Sequence, residues 1–180
     1  ENGDYVVRIL KEHNINTEGI VRFPGVMTAF TDVMTLAATG ERTFFNTRGA
    51  NKVYSYNDLD FASLSADIFH MGYGFLMDPF DREDDEYGTV MARALAKVQG
   101  MGIRTSMDLV SIDDERFSEI VRPSLKYCNY FIVNEIEAGK TANMSPYAPD
   151  GTVDGNLIRK ICELIMEAGV KDMVVIHAPQ

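Results

Sequence analysis

The sequence predicts an α/β fold in which a parallel sheet is flanked by helices and a small antiparallel β lid precedes most of the sheet. From residue 68 onward, short apolar runs alternate with amphipathic helical patterns, as in consecutive βαβ units. Residues 26–37 and 41–47 are instead rich in Thr, Val and Phe, and the turn signal Thr39-Gly40 lies between them, which predicts a β-hairpin. Because a two-stranded sheet is not stable alone, we expect this lid to lie on the core, a partner subunit or a ligand.

Hydrophobic periodicity predicts the individual elements. The first helix is predicted over residues 3–13, because Val6, Ile9 and Leu10 recur at helical spacing. A second helix is predicted at residues 86–99 and a fourth at residues 156–168, each ended by a glycine, and a third at residues 117–125. The predicted inward faces are Val90, Met91, Ala94, Leu95 and Val98 in the second helix and Leu157, Ile158, Ile161, Cys162 and Ile165 in the fourth. The core strands are apolar runs bounded by turn signals, predicted at residues 68–71, 105–110, 130–133 and 173–176. We interpret the chain as two parts, an α/β core at residues 1–20 and 52–180 and a lid at residues 21–51.

Length, charge and cysteine content restrict the class of protein. With 180 residues and 46% hydrophobic residues, the chain can bury the core of one domain. A formal net charge of −10 argues against nucleic acid as a partner, but it is compatible with a nucleotide whose charge is met by Mg²⁺. We recognise no secretory leader and no apolar run of membrane-spanning length. Cys128 and Cys162 lie in apolar surroundings, so we expect free thiols in the reducing cytoplasm. We expect no membrane partner.

Residues 130–141 carry the chemistry that the rest of the chain supports. A buried strand ends at Val133 and is followed at once by Asn134, Glu135 and Glu137. Since ligands of open α/β sheets bind beyond the carboxyl ends of the strands, we expect these side chains to lie at a site. An amide and a carboxylate three residues apart suit Mg²⁺, although taken alone they favour the cap of a helix.

A phosphate-binding P-loop is the competing interpretation of the same residues. Gly139-Lys140-Thr141 resembles the end of that motif, but its first glycine would fall at Asn134. Glu135 and Glu137 would also direct negative charge into a loop that wraps phosphates. We therefore reject the P-loop and expect Lys140 to be a solvated helix lysine.

Asn134 and Glu137 resemble the Asn-x-x-Glu motif that ribokinase-like sugar kinases, the PfkB family, carry at the end of a core strand. Further patterns similar to that family follow one another in the right order along the chain. They are Gly3-Asp4, Thr39-Gly40-Glu41-Arg42-Thr43-Phe44, Gly49-Ala50-Asn51, His70-Met71-Gly72-Tyr73, Gly102-Ile103-Arg104-Thr105 with Asp108, and Gly169-Val170-Lys171. The chain is thus identified as resembling the PfkB family, which implies a ribokinase-like fold.

The resemblance implies ATP-dependent phosphorylation of a sugar or nucleoside hydroxyl. Asn134 and Glu137 would organise Mg²⁺ and phosphate, with ATP and Mg²⁺ as the cofactors. The lid would cover the sugar, and in relatives it often packs on a second subunit, so we expect a homodimer through the lid sheet. By the same analogy Phe45, Thr47, Gly72 and Asp108 would contact the substrate.

A carboxylated sugar is not supported, because the residues after Asp108 lack the Asn and Arg that acid-binding relatives carry, although Arg42 or Arg48 would be able to meet a carboxylate. The Gly-Ala-Gly-Asp motif that holds the catalytic Asp in the family does not occur in these 180 residues, nor does the amino-terminal strand with its sugar contacts. We therefore interpret the sequence as an internal fragment without a catalytic residue of its own, and expect no kinase turnover from it alone. A non-catalytic relative that binds a sugar or nucleotide as a regulator is the alternative, and a nucleoside kinase is another.

Other polar features favour ordinary structural roles. The acidic residues 78–86 lack the spacing of a calcium loop, so an exposed loop before a helix is expected. The histidines are scattered, which argues against zinc. Ser106 and Ser111 lack a nucleophile elbow, so hydrolase chemistry has no support.

Overall fold

The computed structural model describes residues 2–178 and shows a four-stranded parallel sheet with helices, preceded by a two-stranded antiparallel sheet. Its elements in chain order are α1 (Asn2–Glu12), β1 (Phe30–Thr35), β2 (Arg42–Thr47), β3 (Ile68–Gly74), β4 (Glu83–Asp84), β5 (Gly88–Thr89), α2 (Val90–Gly100), β6 (Arg104–Leu109), α3 (Phe117–Leu125), β7 (Tyr130–Asn134), α4 (Glu135–Ala142), α5 (Gly155–Glu167) and β8 (Met173–His177). Two short 3₁₀ turns, Gly49–Lys52 and Tyr56–Asp58, connect the lid to the core. The predicted fold class is confirmed.

The parallel sheet has the strand order β3-β6-β7-β8, so each strand pairs with the next one along the chain. Because crossovers between parallel strands are right-handed, a sequential order places the connecting helices α2 to α5 on one face of the sheet. The core lies between this face and the helices, with Phe131 and Val133 of β7 packed among Leu95 of α2 and Ile161 and Ile165 of α5. The predicted inward faces of α2 and α5 are therefore the ones that are buried.

The opposite face of the parallel sheet is exposed. Strand residues alternate between the two faces, and the outward positions Ile68, Ile132, Met173 and Val175 are large, apolar and accessible to solvent. Helix α1 does not cover them, and none of its residues is buried. Its predicted apolar face is real in sequence but is not packed into a core within residues 2–178. No helix in that range is long and apolar enough to cross a bilayer.

Several predicted boundaries were wrong by two to four residues; β3, for example, continues to Gly74 instead of ending at residue 71. The helix predicted from residue 86 begins at Val90, because the Thr89 hydroxyl caps it by accepting the Ala92 N–H at 3.2 Å. The residues before it form the small β4–β5 hairpin. The first lid strand begins at Phe30 rather than at residue 26.

Candidate functional site

The carboxyl ends of the four parallel strands meet at one edge of the sheet. Gly74 of β3 pairs with Leu109 of β6, and Asn134 of β7 pairs with His177 of β8. A polar loop, residues 110–116, follows β6 at this edge. A ligand of an open α/β sheet is expected here.

Asn134 and Glu137 form a reciprocal capping box where β7 passes into α4. The Asn134 Oδ1 accepts the Glu137 N–H at 2.8 Å, and the Glu137 Oε2 accepts the Asn134 N–H at 3.0 Å. The two side chains are thereby held together at the strand end, with the carboxylate in the first turn of α4, where the helix dipole favours negative charge. The structure realises the capping interpretation, and it also places both predicted metal and phosphate residues at the expected edge.

Ser111 completes this cluster from the neighbouring strand end. It lies two residues beyond β6, and its hydroxyl donates to Glu137 Oε1 at 2.8 Å and accepts from Asn134 Nδ2 at 2.9 Å. In the sequence Ser111 was interpreted only as a possible nucleophile, so this contact was not predicted. Its position just after a strand that neighbours β7 is the signal that would have found it.

Glu137 is 4% exposed, which is unusual for a carboxylate. Burial raises the pKa of its carboxyl group, and the hydrogen bonds from Asn134 and Ser111 oppose that shift. The charge of Asp108 also raises the pKa, and His177 lowers it, so both side chains lie near enough to act on Glu137. The cluster is an anionic, partly desolvated site at the strand edge.

The donor set of the cluster fits Mg²⁺. Within residues 2–178 no three or more His, Cys, Asp and Glu side chains are grouped to hold a metal by themselves. Mg²⁺ characteristically does without such a cage, since it binds one or two carboxylates together with waters and phosphate oxygens. A single buried carboxylate beside an amide is compatible with that mode.

The structure excludes the P-loop. Helix α4 begins at Glu135 immediately after β7, so no loop is present between them to wrap a phosphate. Lys140 donates through Nζ to the Ile112 carbonyl and lies 5.7 Å above the Phe117 ring. The expectation of a solvated Lys140 was wrong, because the ammonium group anchors the loop after β6.

The residues predicted to contact the substrate lie in two places. Asp108 is on β6 next to the Glu137 cluster, where its Oδ1 accepts the Leu109 N–H at 2.7 Å. Gly72 is exposed on β3, in the segment where the pairing with β6 shifts register. Phe45 and Thr47 are two residues apart on β2, so their side chains lie on the same face of the lid. The residues of β1 that pair directly with them are Asp32 and Phe30.

A second set of charged residues, Arg48, Asp78 and Asp81, lines a cleft of about 740 Å³. This cleft lies between the loop after β3, the loop after β6 and α3. Arg48, at the end of the lid, forms an ion pair with Asp78 at the mouth of this cleft. Asp81 is mostly buried there, and its Oδ1 accepts the Phe75 N–H at 3.0 Å. The expectation that residues 78–86 form a merely exposed loop was therefore wrong, because tertiary contacts bury part of it.

Burial raises the pKa of Asp81 to about 6, against the lowering effects of the Phe75 N–H and Arg48 and with small raising effects from Asp78 and Asp114. The folded protein thus binds a proton that the unfolded chain releases near pH 4, so stability falls as the pH rises from about 4 to about 6. We expect Asp81→Asn, which keeps the acceptor for Phe75, to be more stable than wild type at pH 7.5 by roughly 1–2 kcal/mol after solvent screening, and equal near pH 4.

Urea unfolding at both pH values measures this difference. Asp85→Asn, an exposed carboxylate of the same segment, controls for the change in net charge. Parallel loss of stability with pH in wild type and Asp81→Asn would show that Asp81 does not carry the penalty.

Comparison with known proteins assigns the fold. No protein-family model and no curated protein matches the chain. The chain is similar to the solved structure of 2-dehydro-3-deoxygluconokinase from Thermotoga maritima, with a TM-score of 0.75, 19% identity, and coverage of 97% of this chain and 53% of that one. The fold is ribokinase-like.

Two further ribokinase-like structures agree over nearly the whole chain. Ribokinase from Giardia lamblia gives a TM-score of 0.69 at 18% identity, covering 98% of this chain and 50% of that one. Fructokinase with bound ATP from Xylella fastidiosa gives a TM-score of 0.67 at 19% identity, covering 98% of this chain and 53% of that one. The chain therefore spans about half the length of these kinases, and the resemblance inferred from its motifs is confirmed as a structural one.

Proposed function

We propose that this chain forms the lid and the phosphate-handling part of an ATP-dependent carbohydrate kinase. The observation that carries the proposal is the hydrogen-bonded Asn134–Glu137 pair, whose carboxyl group is buried and which lies at the carboxyl end of a central strand in a ribokinase-like fold. The names of the similar structures, a 2-dehydro-3-deoxygluconokinase, a ribokinase and an ATP-bound fructokinase, support phosphoryl transfer to a sugar hydroxyl.

The residues of the cluster have distinct roles in this proposal. Asn134 and Glu137 would hold Mg²⁺ near the nucleotide, and the ion would supply charge neutralisation for the transferring phosphate. Glu137 would accept hydrogen bonds from the water shell of the ion, and Asn134 would hold Glu137 in place through the capping box. The lid would exclude water, which otherwise competes with the sugar for the phosphoryl group.

The substrate side is assigned to the lid and the strand ends. Phe45 and Thr47 would cover the sugar from the lid, while Gly72 and Asp108 would contact it from β3 and β6. Arg48 is paired with Asp78, and the Arg42 guanidinium lies 5.5 Å over the Phe44 ring. Because both guanidinium groups already have partners, we favour a neutral sugar over a sugar acid.

A second candidate is a sugar-binding or nucleotide-binding relative that does not transfer phosphate. It would use the same strand-end cluster and the same lid to bind its ligands, without transfer of the phosphoryl group. Binding without turnover distinguishes this candidate from the kinase.

Thermal-shift and ADP-release assays test the proposal. The protein is screened with ATP, with and without Mg²⁺, against D-ribose, D-fructose, adenosine and 2-keto-3-deoxygluconate. We expect stabilisation that requires Mg²⁺; ADP release with a neutral sugar is expected only where the general base is also present, and not from these 180 residues alone. Mg²⁺-dependent binding without ADP release in a protein that carries the general base would support the non-catalytic candidate, and no nucleotide effect would refute both.

The lid is also proposed to form a homodimer contact. If the face of Phe45 and Thr47 covers the sugar, the other face presents the directly paired and exposed Val33 and Phe44 to a second subunit. We expect Phe44→Asp to convert a dimer into a monomer in sedimentation velocity, because a buried unpaired carboxylate is costly. Ser63→Asp, on an exposed loop of the core, is the control, and an unchanged dimer in Phe44→Asp would exclude this contact.

A further inference from the structure

Ser111 forms hydrogen bonds with the two side-chain atoms of Asn134 and Glu137 that take no part in the helix cap. The capping box uses Asn134 Oδ1 and Glu137 Oε2. The Ser111 hydroxyl contacts the other two atoms, Asn134 Nδ2 at 2.9 Å and Glu137 Oε1 at 2.8 Å. Each planar group is therefore fixed at both of its ends, once by a backbone N–H of the capping box and once by Ser111.

This second contact restricts a motion that the cap alone permits. The terminal torsions of Asn and Glu are broad, so a planar group held at one atom can swing about that atom. A carboxylate that faces a metal ion or its water shell depends on such supporting hydrogen bonds for its orientation. Ser111 is exposed, as expected for a residue at the mouth of a site rather than in the core.

We propose that Ser111 is a positioning residue for the ion and the phosphates, holding Asn134 and Glu137 in the orientation that a hydrated Mg²⁺ requires. This inference rests on the proposed function. Ser111 would touch neither the nucleotide nor the reacting atoms, and its effect would pass through Glu137 and Asn134.

A purely structural role for Ser111 is distinguishable, because the loop after β6 has another anchor. The Nζ of Lys140 donates to the Ile112 carbonyl and lies 3.5 Å from Oδ1 of Asp113. Removing the Ser111 hydroxyl should therefore leave the loop attached to α4. The consequence should appear in Mg²⁺ dependence rather than in folding.

Titration calorimetry with ADP, in the presence and absence of Mg²⁺, tests the role. We expect Ser111→Ala to weaken ADP binding in Mg²⁺ by about 10- to 100-fold, the usual effect of removing a hydrogen-bond partner of a metal ligand, and to leave binding without Mg²⁺ unchanged. Ser111→Thr, which keeps the hydroxyl, should restore most of the affinity. Ser63→Ala removes a hydroxyl that bonds to Asp60 at 2.7 Å, away from the site, and serves as the matched control.

The side-chain amide of Asn134 supplies a readout that needs neither nucleotide nor metal. In ¹⁵N spectra of the protein alone, we expect its NH₂ signals to shift in Ser111→Ala and to return in Ser111→Thr. Wild-type-like ADP affinity in Mg²⁺ for Ser111→Ala would overturn the positioning role and leave the proposed function intact, as would an unchanged Asn134 signal. A wild-type protein whose ADP binding ignores Mg²⁺ would refute the proposed function and the role of Ser111 with it.

Discussion

Glu137→Gln is expected to abolish Mg²⁺-dependent nucleotide binding while helix α4 stays intact. Gln is the other residue that completes a capping box at this position, so its oxygen can keep the hydrogen bond from the Asn134 N–H. The Ser111 hydroxyl can accept from the new amide as readily as it donated to the carboxylate. The charge is lost, however, and we expect the affinity for ADP in the presence of Mg²⁺ to fall by on the order of 100-fold or more.

Glu135→Gln is the matched control for this variant. Glu135 lies in the same turn of α4, is similarly buried, and accepts the Tyr147 hydroxyl at 3.1 Å, a bond that Gln can keep. We expect its nucleotide binding to match wild type. Equal effects in the two variants would mean that burial of acidic groups in α4, and not the site at Glu137, determines the loss.

Gly49→Ala is expected to break the contact between residues 49–50 and residues 27–29 at the base of the lid. Gly49 has a φ of +47°, and an added Cβ would lie 2.3 Å from the Met27 carbonyl oxygen, a backbone atom that also accepts the Ala50 N–H. The left-handed conformation costs an L-residue about 1–2 kcal/mol, and overpacking against a fixed backbone adds about 1–3 kcal/mol. Hydrogen exchange of residues 27–50 should therefore accelerate strongly.

Gly40→Ala separates the two costs. Gly40 also has a positive φ, +76°, but no atom lies within 4 Å of an added Cβ. We expect this variant to show the conformational cost alone, about 1 kcal/mol, and to leave exchange near Met27 unchanged. If both variants behave alike, the close approach at Gly49 is not what holds the lid.

Local patterns in the sequence were sufficient for most of the fold. Apolar spacing identified the buried faces of α2 and α5, because a single amphipathic helix records which side meets the core. The alternation of strands and helices then predicted a parallel sheet, because a helix between two strands allows them to run in the same direction. Asn134 and Glu137 were recognised together because their contact spans a single helical turn.

Contacts between distant segments were not predictable from the same patterns. Ser111 is 26 residues from Glu137 in sequence, and Arg48 is 30 residues from Asp78. Neither pair could be predicted from a local sequence spacing. The burial of Asp81 likewise depends on the positions of the loop after β6 and of α3, which the sequence pattern does not give. Helix α1 shows the converse limit, because periodicity identifies an apolar face but not whether another element covers it.

A crystal structure of the protein with ADP and Mg²⁺ tests the assignment of the site most directly. We expect the ion between the nucleotide phosphates and the end of β7, with its bound waters hydrogen-bonded to Glu137 and with Ser111 still in contact with that carboxylate. Phosphates and metal located elsewhere, for example beside Arg48 and Arg116 in the cleft next to α3, would contradict it.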